Sequence, residues 1–261
     1  MDRPHSARCT TTSPGVPVGS GAELALGSVV TAVRSAVEAV FADVAALRRD
    51  AESVFARARS AGTPVERDDL AELYPALTAP LRTPGGLAKG AGFVAAPGVL
   101  ADAPWWLEWW VREPAGEPSR LIVDVDPDGE HFYDYTTLPW YRDPQRTGRR
   151  NVTGPYVDYL CTDEYTLTFT ESVRDGDTFL GVVGSDVDVG RFEAITLPTL
   201  RAVPCAATLI NAHGRVIASN SPRRSGGSLV RDVDVAALWA DPAADGSLVR
   251  CGDFPIGVLL A

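Results

Sequence analysis

The sequence is poor in the residues that most catalytic and metal sites require. Among its 261 residues there are three histidines, four cysteines and a single lysine, Lys89. The cysteines are widely separated and include no C-x-x-C pair, which disfavours zinc binding. The histidines lack H-E-x-x-H spacing, and neither a G-x-S-x-G nor a G-x-x-x-x-G-K-[ST] motif occurs. We therefore expect no metal, no other cofactor and no enzymatic activity.

A basic surface for nucleic acid is also missing. Lys and Arg together number 24 against 34 Asp and Glu, which leaves a net charge of −10. The densest arginine groups lie in residues 146–150 and at Arg223 and Arg224, and both are short and flanked by Gly and Pro. A nucleic-acid-binding protein needs a basic stripe that neutralises phosphates. We therefore expect no direct contact with nucleic acid.

Long apolar runs are absent as well. Residues 1–20 are rich in Thr, Ser, Pro and Gly and lack the apolar core of a secretory signal, so we predict a disordered tail. No stretch approaches the roughly 18 consecutive apolar residues of a membrane-spanning helix. On these grounds we expect a cytoplasmic protein with free thiols and no membrane partner.

A long helix is predicted over residues 21–62. Its apolar residues recur every three or four positions, with charged residues between them. Ser20 and Glu23 form a capping-box pattern, and Gly62-Thr63-Pro64 ends the helix. At about 1.5 Å per residue, such a helix extends roughly 60 Å. Because that length exceeds a small domain, we expect the helix to pack against a sheet or against a second subunit, the latter as a homodimer through the helix.

Short runs of β-branched and aromatic residues replace the helical pattern after residue 63. A tight turn is indicated at Asp126-Pro127-Asp128-Gly129, between two of these runs. Helices are predicted at Gly190–Val203 and near Val235–Trp239, and a short helical or looped excursion runs from Trp140 to about Gly148. The predicted strands are Gly92–Ala95, Trp106–Arg112, Arg120–Asp126, Glu130–Tyr135, Tyr156–Cys161, Tyr165–Val173, Thr178–Val187, Ala206–Asn211, Arg215–Ser219 and Phe254–Leu260.

Hairpin-linked strands behind a long helix predict an α+β fold. In this interpretation the N-terminal helix packs on an antiparallel β-sheet, and a small C-terminal α/β extension follows. The predicted boundaries are 21–62 for the helix, 63–203 for the main domain and 204–261 for the small C-terminal lobe.

The segment Tyr133–Asp186 combines aromatic rings and carboxylates more densely than the rest of the chain. Rings attract a cation through their quadrupole, and a carboxylate adds a charge-assisted hydrogen bond. Such walls suit a small amine-containing ligand. Trp109, from the tryptophan cluster at residues 105–110, joins the candidates as a ligand wall. The candidate ligand-binding residues inside the segment are Tyr133, Tyr135, Trp140, Tyr141, Tyr156, Asp158 and Asp186.

Three short motifs within this segment have a spacing that is typical of a known family. They are Trp140-Tyr141, Gly154-Pro155-Tyr156-Val157-Asp158 and the F-L-G-V-V-G-S-D run that ends at Asp186. Together with the long helix before them and the hairpin after them, they resemble Cache sensor domains over about 22–220. Those are PAS-like antiparallel-sheet domains of bacterial chemoreceptors and sensor kinases. The resemblance implies a PAS-like sensor domain over 63–203.

The resemblance also implies roles for single residues. In Cache domains that bind amino acids, a Tyr, an Arg two residues before the W-Y pair and the pair itself hold the ligand, while two aspartates grip its amino group. The matching positions are Tyr133, Trp140, Tyr141, Asp158 and Asp186. Leu138 stands where the arginine belongs, which removes a charged hydrogen bond worth about 1.5–3 kcal/mol. An amine is therefore implied, or an amino acid whose carboxylate is held differently, for example by Arg142.

Our leading hypothesis is a stand-alone sensor that binds a small amine or amino acid. A separate output protein, a regulator or a kinase, would read the signal. Three alternatives remain at this point. The chain is an enzyme in which Asp158 and Asp186 act as general acid and base, a structural protein with an occluded pocket, or a binder of a small carboxylate.

Overall fold

The computed structural model describes residues 20–114, 116–157, 165–242 and 246–260. Most of the predicted tail, 1–20, therefore lies outside the described residues. The chain forms two compact units. The larger unit comprises 38–153 and 165–188, and the smaller unit comprises 20–37, 154–157 and the described residues from 189 onward.

Helix α1 spans Ser20–Ala61 and confirms the predicted long helix. Within the larger unit its apolar face packs on a β-sheet. The ring of Phe41 meets Phe169 edge to face with 5.4 Å between centroids, and the ring of Phe55 lies 6.1 Å from Phe93. Buried aromatic pairs add about 0.5–1.5 kcal/mol each beyond the area that they bury. The two aromatic pairs therefore stabilise the packing of α1 on the sheet at two points, 14 residues apart along the helix.

A second helical segment follows α1. A 3-10 helix at Arg67–Leu73 continues directly into α2, Tyr74–Arg82, even though Pro80 lies inside α2. The Arg112 guanidinium donates to the carbonyl oxygens of Pro80, Thr83 and Ala88. These bonds satisfy carbonyls at the end of α2 and join it to the first strand of the sheet.

The larger unit is built around a six-stranded sheet with the order β3-β2-β1-β6-β5-β4. Each strand pair whose register is described is antiparallel. Together with α1 and a second small sheet, this confirms the α+β class. Helix α3, Pro139–Thr147, precedes β4. The strands are β1 Ala88–Ala95, β2 Leu107–Val111, β3 Ser119–Arg120, β4 Asn151–Val157, β5 Tyr165–Asp175 and β6 Thr178–Asp188.

The predicted hairpin around the Asp-Pro-Asp-Gly turn is wrong. Strand β3 ends at Arg120, and residues 121–134 form turns and irregular backbone. The Asp124 carboxylate accepts from the Asp126 amide, and the Asp126 carboxylate accepts from the Asp128 amide, both at 3.0 Å. Aspartates that bond the backbone two residues onward compete with strand pairing. Ile122 is 88% exposed, whereas Val123 and Val125 are half-buried, so these β-branched residues do not form the buried face of a strand.

Side chains on β5 alternate between the two faces of its sheet. Leu167, Phe169 and Val173 share the face that α1 covers, as the contact of Phe169 with α1 shows. The intervening hydroxyl residues lie on the opposite face, which we call the polar face, and are equally buried. Register places small or polar residues of β1 and β6 beside them. The polar face is made by Gly90, Gly92, Thr166, Thr168, Thr170, Ser172, Gly184 and Asp186.

The smaller unit contains a four-stranded sheet with the order β8-β7-β10-β9. The Asn211 carboxamide oxygen accepts from the amides of His213 and Arg215 and so shapes the turn between β7 and β8. Strand β9 escaped prediction because it is three residues long. The elements are α4 Val189–Arg201, β7 Ala207–Asn211, β8 Val216–Ser219, α5 Val235–Ala240, β9 Leu248–Arg250 and β10 Ile256–Leu260.

Helix α1 also meets a length and composition criterion for a membrane span. A window of 18 residues within Gly21–Ala61 reaches a mean hydropathy of 1.6, and 33% of that window is buried. Gly, Ser and Thr interrupt the apolar residues of this window, so it contains no long consecutive apolar stretch. Core helices of soluble proteins and signal sequences near an N-terminus meet the same criterion. The absence of a membrane partner and the cytoplasmic location therefore stay predictions.

Replacing Phe169 by Ala is expected to lower the free energy of unfolding by about 3–5 kcal/mol, because the substitution leaves a cavity under α1. Urea unfolding followed by circular dichroism measures the change. Ile122→Ala is the matched control and is expected to stay within about 0.5 kcal/mol of the wild type. A loss below about 1 kcal/mol in Phe169→Ala would contradict the packing of α1 on this face.

Cys251, in the smaller unit, is fully buried, and burial raises the pKa of its thiol from 9.0 to about 12. The thiolate is the reactive form. At pH 8 we expect iodoacetamide to modify the half-buried Cys205 in the native protein and to leave Cys251 untouched until urea unfolds the unit. Peptide mass spectrometry resolves the sites. The folded state should also lose stability between pH 9 and about 12, since only the unfolded thiol ionises there.

Candidate functional site

The candidate site lies on the polar face, where two rows of facing residues cross three strands. In one row Gly90, Asp186 and Thr168 are register partners on β1, β6 and β5. In the next row, Gly92, Gly184 and Thr170 occupy the same strands two residues away. The glycines leave room for the indole of Trp109 to approach the backbone, and the threonines supply short hydroxyl groups. The face thus combines an aromatic ring with polar groups in a buried layer.

Asp186 is the buried carboxylate among the described residues of this face and is 5% exposed. The Thr168 hydroxyl donates to its carboxylate at 2.6 Å between oxygens. A buried carboxylate is costly unless hydrogen bonds and an opposite charge compensate it. The sequence predicted Asp186 as a ligand-binding residue from the end of its apolar run. Thr168, which orients the carboxylate, was missed.

Two indole rings stand over the same face. Trp109 on β2 and Trp140 on α3 have ring centroids 6.4 Å apart, and both side chains are nearly fully buried. The Thr170 hydroxyl donates to the Trp140 carbonyl oxygen at 2.9 Å and thereby holds the first turn of α3 against the sheet. The structure therefore brings Trp109, Trp140 and Asp186 to one face, as the sequence analysis proposed.

Tyr135 has the contacts of a structural residue. It is fully buried, its hydroxyl donates to the Ala95 carbonyl oxygen at 2.9 Å, and it accepts from the Trp106 amide at 3.3 Å. Burial raises its pKa to about 12, so the phenol stays protonated and keeps donating. Both capacities of the hydroxyl group are therefore used by backbone at the end of β1. A direct role in ligand binding, which the sequence suggested, finds no geometric support.

Tyr141 packs in the same aromatic cluster, with ring centroids 5.3 Å from Tyr135 and 5.6 Å from Phe179. It is fully buried, and burial raises the pKa of its phenol, which therefore remains a donor. Within the described part of the chain, the Tyr141 hydroxyl has no hydrogen-bond partner. Leaving such a group unsatisfied costs about 1–3 kcal/mol. Its ring contacts place it toward the Phe179 end of β6, away from Asp186 along the strand.

The other predicted residues are more dispersed. Tyr133 is half-buried in the segment before α3. Tyr156 lies on β4 in the part assigned to the smaller unit, and Asp158 lies outside the described residues. Arg142 is exposed. On a helix of about 3.6 residues per turn, it points roughly 200° away from Trp140, so the helix gives it no direct path to the polar face.

Comparison with known proteins gives a family match over part of the chain and several similar structures. Residues 122–194, which contain α3 and β4 to β6, match the family model described as a methyl-accepting chemotaxis protein-like, first PDC sensor domain. The extracellular domain of the putative histidine kinase soHK1S-Z6 is 14% identical with a TM-score of 0.61, over 91% of this chain and 91% of that one. This chain has the fold of a Cache-type, PDC-like sensor domain.

Chemoreceptors supply further similar structures of this Cache-type fold. The ligand-binding domain of Campylobacter jejuni Tlp3 in complex with L-valine is 13% identical with a TM-score of 0.57, over 94% of this chain and 97% of that one. A structure named methyl-accepting chemotaxis protein X is 14% identical with a TM-score of 0.55, over 92% and 94%. The predicted resemblance to Cache domains is thus confirmed.

Tyr135→Phe is expected to lower the free energy of unfolding by about 1–3 kcal/mol, because the buried carbonyl of Ala95 and the partly buried amide of Trp106 lose their partner. Chemical denaturation measures the change. Tyr74→Phe is the matched control, because Tyr74 is 38% exposed and its hydroxyl accepts from Arg82; it should cost under about 0.5 kcal/mol. Equal effects of the two substitutions would contradict the anchoring role of Tyr135.

Proposed function

We propose that this chain is a sensor whose Cache-type domain binds a small amine or amino acid on the polar face. The observation that carries the proposal is the convergence of one buried carboxylate, Asp186, with the indoles of Trp109 and Trp140. Tyr133 is a further proposed ligand-binding residue of the larger unit, as the resemblance to amino-acid-binding Cache domains implies. The resemblance implies the same role for Asp158, which lies outside the described residues.

Charge and surroundings select a cation at this site. The Asp186 carboxylate lies in surroundings of low polarity, where an ammonium group interacts with it more strongly than in water. Indole faces attract the same charge, with about 0.5–2 kcal/mol for each cation–π contact. An ammonium group therefore gains from three groups at once. A neutral ligand of the same shape makes neither the charge pair with Asp186 nor the cation–π contacts with the two indoles.

The second functional group of the ligand is less constrained. Leu138 is the residue before the first turn of α3 and cannot bind a carboxylate. Arg142 is exposed on another side of that helix. We therefore favour amines over free amino acids. The Tlp3 domain that was solved with L-valine supports a ligand with an ammonium group, since valine carries one.

Signal output is proposed to involve α1 and a separate regulator or kinase. In the smaller unit, α1 exposes a side formed by Leu24, Ser28 and Thr31, with Leu24 at 72% exposure. An uncovered apolar side chain between small polar ones is suited to pairing with another helix. We propose a cytoplasmic homodimer paired along α1, in which ligand binding shifts the equilibrium between two arrangements.

A screen of primary amines, amino acids and small carboxylates by thermal shift and calorimetry tests the binding function. We expect a bound amine whose affinity falls about 10- to 100-fold in Asp186→Asn, because a charge-assisted hydrogen bond and a charge pair are lost. Thr168→Val should weaken binding less, since it only releases the carboxylate.

Asp177→Asn, at an exposed position in the turn between β5 and β6, is the matched control and should bind like the wild type. Failure of every amine and amino acid to bind would overturn the proposal. Equal affinities of Asp186→Asn and the wild type would overturn the assigned site. Conversion of a bound amine to a product would contradict the sensor proposal and support the enzyme alternative.

A further inference from the structure

The indole of Trp109 lies flat on the sheet and spans three glycines. A Cβ atom added at Gly90 would lie 2.7 Å from Trp109 Nε1, one at Gly92 would lie 2.0 Å from Cε3, and one at Gly184 would lie 3.3 Å from Cη2. These three atoms belong to different edges of the ring. The ring therefore extends from β2 across β1 to β6.

The indole requires glycine at two of these positions, whereas a Cβ at Gly184 would meet Phe169 O and Thr170 Cγ2 more closely than the ring, at 2.7 and 2.8 Å. At Gly90 and Gly92, side chains of any other residue would overlap the indole, because real Cβ atoms do not approach to such distances. Close approach of another group is a recurrent reason for glycine inside a strand. Trp109 and the glycines thus form one packing unit on the polar face.

Asp186 borders this unit. The same added Cβ at Gly90 that meets Trp109 Nε1 would lie 3.1 Å from Asp186 Oδ2. The carboxylate and the indole edge therefore flank one point on the sheet. A ligand that places its ammonium group against Asp186 finds the indole in the space over β1, and the ring of Trp140 closes another side.

We infer that Trp109 sets the size limit of the ligand, so that the site takes a compact amine with a short carbon chain. The inference rests on the proposed function, because it concerns the same site. The indole fills the volume above three glycines that a longer ligand would otherwise occupy. Trp109 is therefore a specificity-determining residue. The volume of its indole affects the choice of ligand more than its cation–π contact does.

Straight-chain primary amines from methylamine to hexylamine test the inference by calorimetry on the full chain. The wild type is expected to bind the short members and to lose affinity as the chain lengthens. Trp109→Leu should reverse the order, with about a three- to fourfold gain for each methylene group that enters the freed space. Hexylamine should then bind at least tenfold more tightly to the variant than to the wild type.

Trp110→Leu is the matched control. Trp110 is the next residue on β2, but its ring packs on Tyr74 at 4.8 Å on the opposite face of the sheet. The substitution removes the same volume without touching the polar face, so the order of amine affinities should stay that of the wild type. Trp109→Phe, a smaller truncation, keeps the test valid if Trp109→Leu unfolds, and should shift the preference by one or two methylene groups.

The outcomes separate the inference from the function on which it rests. Binding that depends on Asp186 but keeps the same order of chain length in the wild type and the Trp109 variants would overturn the size limit alone. Wild-type affinity that rises steadily up to hexylamine would do the same. No binding of any amine by the wild type or by the Trp109 variants would overturn both.

Discussion

Phe169 and Thr170 are neighbours on β5 whose side chains point to opposite faces of the sheet, and this alternation constrains the rest of the larger unit. One face must be apolar because α1 covers it, and the other is free to carry hydroxyls, glycines and a carboxylate. A register shift of one residue would place Thr170 under α1 and Phe169 on the polar face. The burial of the long helix therefore also fixes the residues available for binding.

The polar face is in turn organised by hydrogen bonds from the threonines of β5. The Thr170 hydroxyl donates to the Trp140 carbonyl oxygen on α3, and the Thr168 hydroxyl donates to the Asp186 carboxylate on β6. Both donors are short side chains with few rotamers, so little conformational freedom is lost when these bonds form. Side chains that are positioned in advance reduce the entropy that a ligand must overcome on binding.

Much of the fold follows from sequence patterns because the patterns are long and periodic. The helical period gave α1 to within a residue, and alternation gave β5 and β6. The hairpin around residues 126–129 failed because aspartate side chains bonded their own backbone there. Within the site, ring and carboxylate chemistry indicated Trp109, Trp140 and Asp186. The tertiary contacts of Tyr135 and the glycine platform below Trp109 depend on residues far apart in the chain, so no local pattern could reveal them.

Under the proposed function, the chemistry of the polar face favours an amine over a small carboxylate as the ligand. An anionic ligand near Asp186 would meet like charge in surroundings that screen it weakly, which is unfavourable by several kcal/mol. The resemblance to amino-acid-binding Cache domains implies an arginine at position 138, where this chain has Leu138, and Arg142 is exposed. In the proposed site a cation meets a carboxylate and two indole faces. Under that proposal, Leu138 leaves the ammonium contacts in place and lacks the charge that would hold the carboxylate of an amino acid.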